Sequence, residues 1–270
     1  MASTPRPIAF VMASTDHGTM IVNRFDYKMV TANAGFGVGL TLLGDSAYDV
    51  VDVATGRALL DARRLHFGDG VMAIDIGANI GVFTVEWARH MHGWGDILAF
   101  EPQERVFLAL AGNVAINNCF NAYPRYAAVT SEPGAMRVPV ADHTIPGSFG
   151  SLELRQREHN EPIGQRIDYE PDRMISLPAV SVDSLNLPRL DLIKIDVEGM
   201  EMEVLQGARR TLGTQRPVMI IEHVKIDRAA LHDFLDGFGY VHFAKGMNTV
   251  AIHAADPTSR MILDTMPEAA

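Results

Sequence analysis

Apolar positions along the chain follow two periods. Residues 71–76 are almost continuously apolar, as in a strand buried on both faces, and from Val82 the spacing becomes helical, with Phe83, Trp87 and Met91 on one face. The alternation then repeats. Residues 96–101 read as a second strand closed by Pro102, residues 104–117 as a helix burying Phe107, Leu110, Ala111 and Val114, and residues 123–129 as a third strand. Residues 190–197 form a fourth strand, followed by a helix that buries Val204, Leu205, Ala208 and Leu212. A fifth strand at 217–222 precedes a helix near 227–237 with Leu231, Phe234 and Leu235 inward. Residues 240–244 and 249–253 pair as an antiparallel hairpin across the turn at 245–248. Strands separated by helices call for a mostly parallel sheet in an α/β fold.

Three stretches lie outside that rhythm. Residues 1–68 form an N-terminal extension with short strands at 8–12 and 19–25, a glycine-rich loop at 35–39, and helical spacing over 43–65 that breaks near Gly56. The principal domain spans 69–256, with an inserted region at about 130–180 that holds six prolines and short strands at 135–140 and 150–154. Within it, residues 155–173 are polar and without period, and a loop of that length is expected to cover a substrate. Residues 257–270 read as a loosely attached tail.

Composition narrows the class. With 47% apolar and 21% charged residues in a chain of 270, a sizeable core is available and disorder is excluded. A net charge of −10 argues against a nucleic-acid partner. The single cysteine, Cys119, permits no internal disulfide and suits a reducing compartment. No run approaches the roughly 20 apolar residues of a membrane span, and residues 1–7 lack a secretory pattern. The expectation is a cytoplasmic protein that engages neither membrane nor nucleic acid. Oligomeric state has no signature.

The first strand ends in Asp75-Ile-Gly77-Ala-Asn79-Ile-Gly81 and passes directly into a helix. Free N–H groups at such a turn hold anions. The dinucleotide fingerprint places a second glycine where Asn79 stands, which speaks against a nucleotide-dependent oxidoreductase. The acid ahead of Gly77 would repel a pyrophosphate but suits a ligand with a positive group beside its carboxylate, such as S-adenosylmethionine. Glu101, at the end of the second strand, is placed to pair with ribose hydroxyls.

These segments, together with Phe100-Glu-Pro102, Val182-Asp-Ser-Leu185 and Asp191-Leu-Ile-Lys-Ile-Asp-Val-Glu-Gly-Met-Glu201, resemble the FkbM family of S-adenosylmethionine-dependent methyltransferases over about residues 70–224. The resemblance implies a class I methyltransferase (Rossmann-like) fold, with a seven-stranded sheet whose antiparallel end suits the C-terminal hairpin. It implies methyl transfer to hydroxyl oxygens of sugars, glycans or small natural products. Carried over by position, Asp75, Gly77, Ala78, Asn79 and Gly81 would surround the methionine end of the donor. Glu101 and Pro102 would meet the ribose, Ala128 and Val129 would lie near the adenine, and Asp196 would adjoin the donor. Asp196, Glu198, Glu222 and His223, at the ends of strands four and five, would form the catalytic edge. Two chemistries are open there. Asp196 and Glu222 could hold a divalent cation such as Mg²⁺ that lowers the acceptor pKa. Alternatively, the acids could bind the donor ammonium and orient His223 as base, and the scarcity of His in Mg²⁺ sites favours this metal-free form. A non-catalytic binding protein for the same donor, and a nitrogen acceptor, are the competing functions.

Overall fold

The computed structural model describes residues 6–259. An antiparallel hairpin of β1 (Phe10–Thr15) and β2 (Gly18–Asn23) opens the chain, followed by a short ladder of β3 (Lys28–Met29) with β4 (Gly35–Phe36) and by helices α1 (Val38–Asp45) and α2 (Val50–Phe67). Strand and helix then alternate through β5 (Val71–Ile76), α3 (Val82–His90), β6 (Gly95–Phe100), α4 (Glu104–Ile116) and β7 (Ala122–Arg125). Strands β8 (Ala128–Val129), β9 (Gly134–Val138) and β10 (Ile175–Val180) form a separate small sheet. The alternation resumes with β11 (Leu192–Ile195), α5 (Glu201–Gln206), α6 (Arg209–Thr214), β12 (Val218–Glu222) and α7 (Arg228–Asp236), and closes with the hairpin β13 (Tyr240–Lys245) and β14 (Asn248–His253).

The main sheet has seven strands in the order β13-β14-β12-β11-β5-β6-β7. Its five inner and edge strands from β12 to β7 are parallel, and β14 runs antiparallel to both β12 and β13. This is the architecture the apolar periods call for. Strand alternation divides the core. Ala73, Leu192 and Ile220 pack with α2, α3 and α4 on one face, while Ile74, Ile193 and Ile221 pack with α5, α6 and α7 on the other.

Several local expectations are corrected. The helix over 43–65 does not break at Gly56. The break lies at 46–49, and α2 runs straight through the glycine. A Cβ at position 56 would sit 2.1 Å from the Trp87 ring, so this glycine permits close approach of α2 to α3 rather than a turn. The glycine-rich stretch 35–39 is structured, with Asp26 accepting the Gly39 N–H at 3.3 Å. Residues 150–154 form no strand; a single 3₁₀ turn covers Phe149–Ser151. The chain after Asp256 is anchored up to residue 259. Asp256, Thr258 and Ser259 are buried, and the buried Arg63 guanidinium bonds both Asp191, at 3.1 Å, and Asp256. Residues 260–270 of the expected tail, and 1–5 of the N-terminus, lie outside the described residues. No described helix is long and apolar enough to cross a membrane.

Candidate active site

The glycine turn after β5 is set by backbone geometry. Gly77 has φ 78°, and a Cβ there would lie 1.7 Å from the Asp196 carbonyl oxygen, so the chain passes against the end of β11 with no room for a side chain. Asn79 follows at φ 51°, its side-chain oxygen accepting the Ile80 N–H at 2.7 Å. Glu101, buried at the end of β6, accepts the N–H of Asn79 at 3.0 Å through one oxygen and that of Gln103 at 2.8 Å through the other. Burial outweighs these two bonds and pushes its carboxyl up to about 7. Each oxygen retains acceptor capacity for a further donor.

A cavity of about 490 Å³ opens over this turn at the C-terminal ends of the parallel strands, where open α/β sheets bind ligands. Gly77, Ala78, Asn79, Glu101 and Pro102 line it, as do Asp196, Glu198 and Glu222. Four expected site residues stand elsewhere. Asp75 is fully buried beneath the cavity, where it accepts the Thr84 hydroxyl at 2.7 Å and faces Lys194 Nζ at 3.5 Å. Ala128 and Val129 belong to β8, in the small sheet, with their side chains in the core and away from the cavity lining. Gly81 heads α3 with φ 92°, behind the lining, where a Cβ would meet Leu110.

His223 is the larger correction. Val218, Ile220 and Glu222 point to the cavity face of β12, so Met219, Ile221 and His223 must point to the other. His223 Nδ1 pairs with the Thr249 hydroxyl at 2.9 Å, burial lowers the proton affinity of the ring, and the side chain lines no part of the cavity. Proton abstraction from an acceptor in the cavity therefore falls to another group.

Asp196, Glu198 and Glu222 do converge, each offering an oxygen within 4.8 Å of the others. Lys225 Nζ lies 2.5 Å from Glu198 and Lys194 Nζ lies 3.2 Å from Asp196. Burial, and then the neighbouring carboxylates, push Glu222 and Glu198 well above the ordinary carboxylate range. Oxygen donors of this kind suit a hard cation. Two of the three, however, already have ammonium partners, so the set is a poor fit to a dedicated metal site.

Sequence reasoning missed several lining residues. Lys194 stands in an apolar strand and alternates with Leu192 and Asp196 onto the cavity face; the period-2 pattern could have found it. Burial opposes its charge, yet Asp196 and Asp75 outweigh that and hold the ammonium above its ordinary range. The N-terminal extension supplies a wall that includes Phe36, Thr41, Tyr48, Asp49 and Asp52. Asp26 ties that wall to the insertion by accepting the Phe149 N–H at 3.0 Å, and His17 fixes Tyr48 by accepting its N–H at 2.9 Å. Of the polar segment 155–173, Glu161 lines the cavity and Arg157 bonds the Gly199 carbonyl.

A parallel sheet in this strand order, with a glycine turn facing an acid on the next strand, defines the class I methyltransferase fold. More particularly, the chain belongs to the FkbM methyltransferase family, whose domain model, "Methyltransferase FkbM domain", matches residues 75–241. It is 27% identical over 150 residues to Methyltransferase 1 of Beauveria bassiana, covering 52% of this chain and 59% of that protein. It is 25% identical over 217 residues to methyltransferase sdnD of Sordaria araneosa, covering 73% and 78%. Among solved structures, the methyltransferase FkbM of Methylobacillus flagellatus KT superposes with TM-score 0.50 at 16% identity, covering 71% of this chain and 48% of that one. This chain thus spans little more than half the length of the Beauveria protein and about half that of the Methylobacillus chain.

Proposed function

We propose that this methyltransferase takes its methyl group from S-adenosylmethionine and delivers it to a hydroxyl oxygen of a sugar, glycan or small natural product. The observation that carries the reading is the lining of one cavity. It brings Glu101 and the Gly77–Asn79 turn together with the convergent carboxylates of Asp196, Glu198 and Glu222. Glu101 fits a ribose, because its two oxygens are fixed by backbone N–H groups and keep free lone pairs for a diol. Gly77 and Asn79 admit the donor's amino-acid end against the backbone. The donor supplies an already activated methyl group, so the residues contribute mainly alignment and exclusion of water. Among these acids, burial and then the neighbouring carboxylates raise Glu198 to about 7, which suits it to receive the acceptor proton. Lys225, held between Glu198 and Glu161 at 2.5 and 3.2 Å, fixes Glu198 in place.

The test is incubation with S-adenosylmethionine and a panel of hydroxylated and aminated acceptors, with and without EDTA, read by product mass. A mass gain of one methyl on a hydroxylated acceptor, unchanged by EDTA, is expected. Methylation confined to amines would refute the oxygen acceptor, and loss of activity in EDTA that Mg²⁺ restores would refute the metal-free chemistry.

A further inference from the structure

The strand end that carries Glu222 is bordered by exposed apolar side chains. Val224, two residues on, lines the cavity and is 54% exposed. Met247 lines it too and is 57% exposed. Backbone pairing fixes both beside the acid. Glu222 stands opposite Asn248 in the ladder between β12 and β14, and the His223 N–H donates to the Met247 carbonyl at 3.0 Å. Phe36, also exposed and lining the cavity, joins this rim from the N-terminal extension. Lys28 Nζ lies 5.4 Å from the centre of the Phe36 ring and 3.7 Å from Glu161, and Glu161 lies 3.2 Å from Lys225, the neighbour of Val224. The apolar surface continues outward. The Asn248 amide donates to Asp52 at 3.0 Å, which sets the first turn of α2, with Val50 and Val51 exposed, against the same hairpin turn.

Single exposed apolar residues are ordinary, but a cluster at the mouth of a ligand cavity reflects what the ligand presents there. The polar groups around this cluster are engaged with one another. Asn248 is bonded to Asp52, Lys225 to Glu198 and Glu161, and Lys194 to Asp196. Among the described residues the cavity lining holds no arginine, and both of its lysines already face carboxylates. A sugar ring at this rim would exchange water for Val224 and Met247 and leave hydroxyls unbonded. A phosphate or carboxylate would meet Glu198 and Glu222 with no unpaired cation to receive it. An apolar group would gain by the same exchange of water for side chains.

We infer that Phe36, Val224 and Met247 receive the body of the methyl acceptor, and that this body is uncharged and apolar, an alkyl or aryl group that carries the hydroxyl. The inference rests on the reading that the acids beside this rim receive the acceptor oxygen. It narrows the acceptor to a hydrophobic small molecule and makes Val224 and Met247 specificity-determining residues.

An isotope-labelled methionine methyl group reads binding at the rim itself. The Met247 signal, assigned by its loss in Met247→Gln, would be titrated with phenylbutanol, glucose and phenylbutyrate, each with and without S-adenosylhomocysteine. Expected is a dissociation constant for phenylbutanol at least about 10-fold below those of glucose and phenylbutyrate. In Val224→Asn, phenylbutanol should bind about 3- to 10-fold more weakly, part of what burying a whole valine side chain is worth. An unchanged melting temperature verifies that this surface substitution keeps the fold. Glucose or phenylbutyrate binding as tightly as phenylbutanol would overturn the inference. So would a Met247 signal that phenylbutanol does not move, or an affinity that Val224→Asn leaves unaltered. Calorimetry with S-adenosylhomocysteine judges the donor separately: no binding there, with phenylbutanol still moving the Met247 signal as expected, would refute the donor and leave the apolar rim standing.

Discussion

Gly77→Ala and Gly81→Ala make a matched pair that isolates what the glycine turn does. Both glycines have positive φ, 78° and 92°, so each alanine incurs the left-handed penalty of about 1–2 kcal/mol. Their surroundings differ. At Gly81 the new methyl would meet Leu110 Cδ1 at 2.5 Å, the end of a side chain that can rotate away. At Gly77 it would meet the Asp196 backbone oxygen at 1.7 Å. Ordinary contact needs about 3.5 Å, so the end of β11 must retreat by nearly 2 Å. The Asp196 N–H, which donates to the Ile76 carbonyl at 3.0 Å, then loses its bond, for about 1 kcal/mol more. Gly77→Ala should therefore cost about 3–5 kcal/mol, with the overpacking term included, and Gly81→Ala about 1–3 kcal/mol. The displaced carbonyl belongs to the residue that carries a cavity carboxylate, so Gly77→Ala should also abolish binding of S-adenosylhomocysteine, whereas Gly81→Ala should weaken it mildly. Urea unfolding and calorimetry on the two variants read both effects. Equal stabilities together with equal affinities would show that the turn tolerates a side chain at either position and would refute the close-approach argument.

Other consequences can be checked singly. Replacing Glu222 by glutamine should flatten the pH dependence of stability. The folded-state carboxyl is raised, so its contribution is complete below the unfolded value of 4.5 and is lost as pH rises toward about 9; urea midpoints of the wild type should fall across that window while those of the variant fall less, and parallel curves would contradict the rise that burial and the neighbouring carboxylates impose on it. His223→Gln should leave methyl transfer nearly intact, since the side chain faces away from the cavity; a fall of about 100-fold, the scale of a lost general base, would restore His223 to the chemistry. Arg63→Met should cost about 3–5 kcal/mol by stranding the buried Asp256 and removing one of the two arginines on the buried Asp191, and an unchanged urea midpoint would show that this bridge contributes nothing.

How much of this was legible in the sequence depended on whether the cause was local. The five parallel strands and the terminal hairpin follow from apolar runs and helical spacing that each segment carries within itself. The same alternation placed Glu222 and His223 on opposite faces of one strand, so the error of grouping them came from reading adjacency along the chain as adjacency in space. A continuous third strand over 123–129 would bring Ala128 and Val129 to the cavity; the strand ends instead at Arg125, and the chain crosses to pair with β10 in another sheet. The cavity wall from the N-terminal extension was not legible at all. Its position depends on contacts such as the bond from the Phe149 N–H to Asp26, which spans 123 positions, and no local pattern encodes that.

The eleven residues from Asp191 to Glu201 show how a specific motif divides its labour. Leu192, Ile193 and Ile195 are buried in the two core layers. Asp191 lies at the opposite end of β11 from the cavity. It accepts the Met72 N–H at 2.9 Å and binds Arg63 and Arg189, locking β11 to β5 and to α2. Glu201, also buried, turns one oxygen back to accept the N–H groups of Val197 and Gly199 at 3.1 and 3.0 Å. That fixes the turn in which Glu198 takes a left-handed backbone. Lys194 binds the Gly77 carbonyl and two carboxylates, so it couples the glycine turn to the acids. Only Asp196 and Glu198 are left to present carboxylates to the cavity. Four acids in one motif thus do two kinds of work: the outer pair hold the strand and turn in place, and the inner pair line the cavity. A motif of this density is specific because most of its members fix backbone positions, and carboxylates placed on a loosely held loop could not keep their distances from one another.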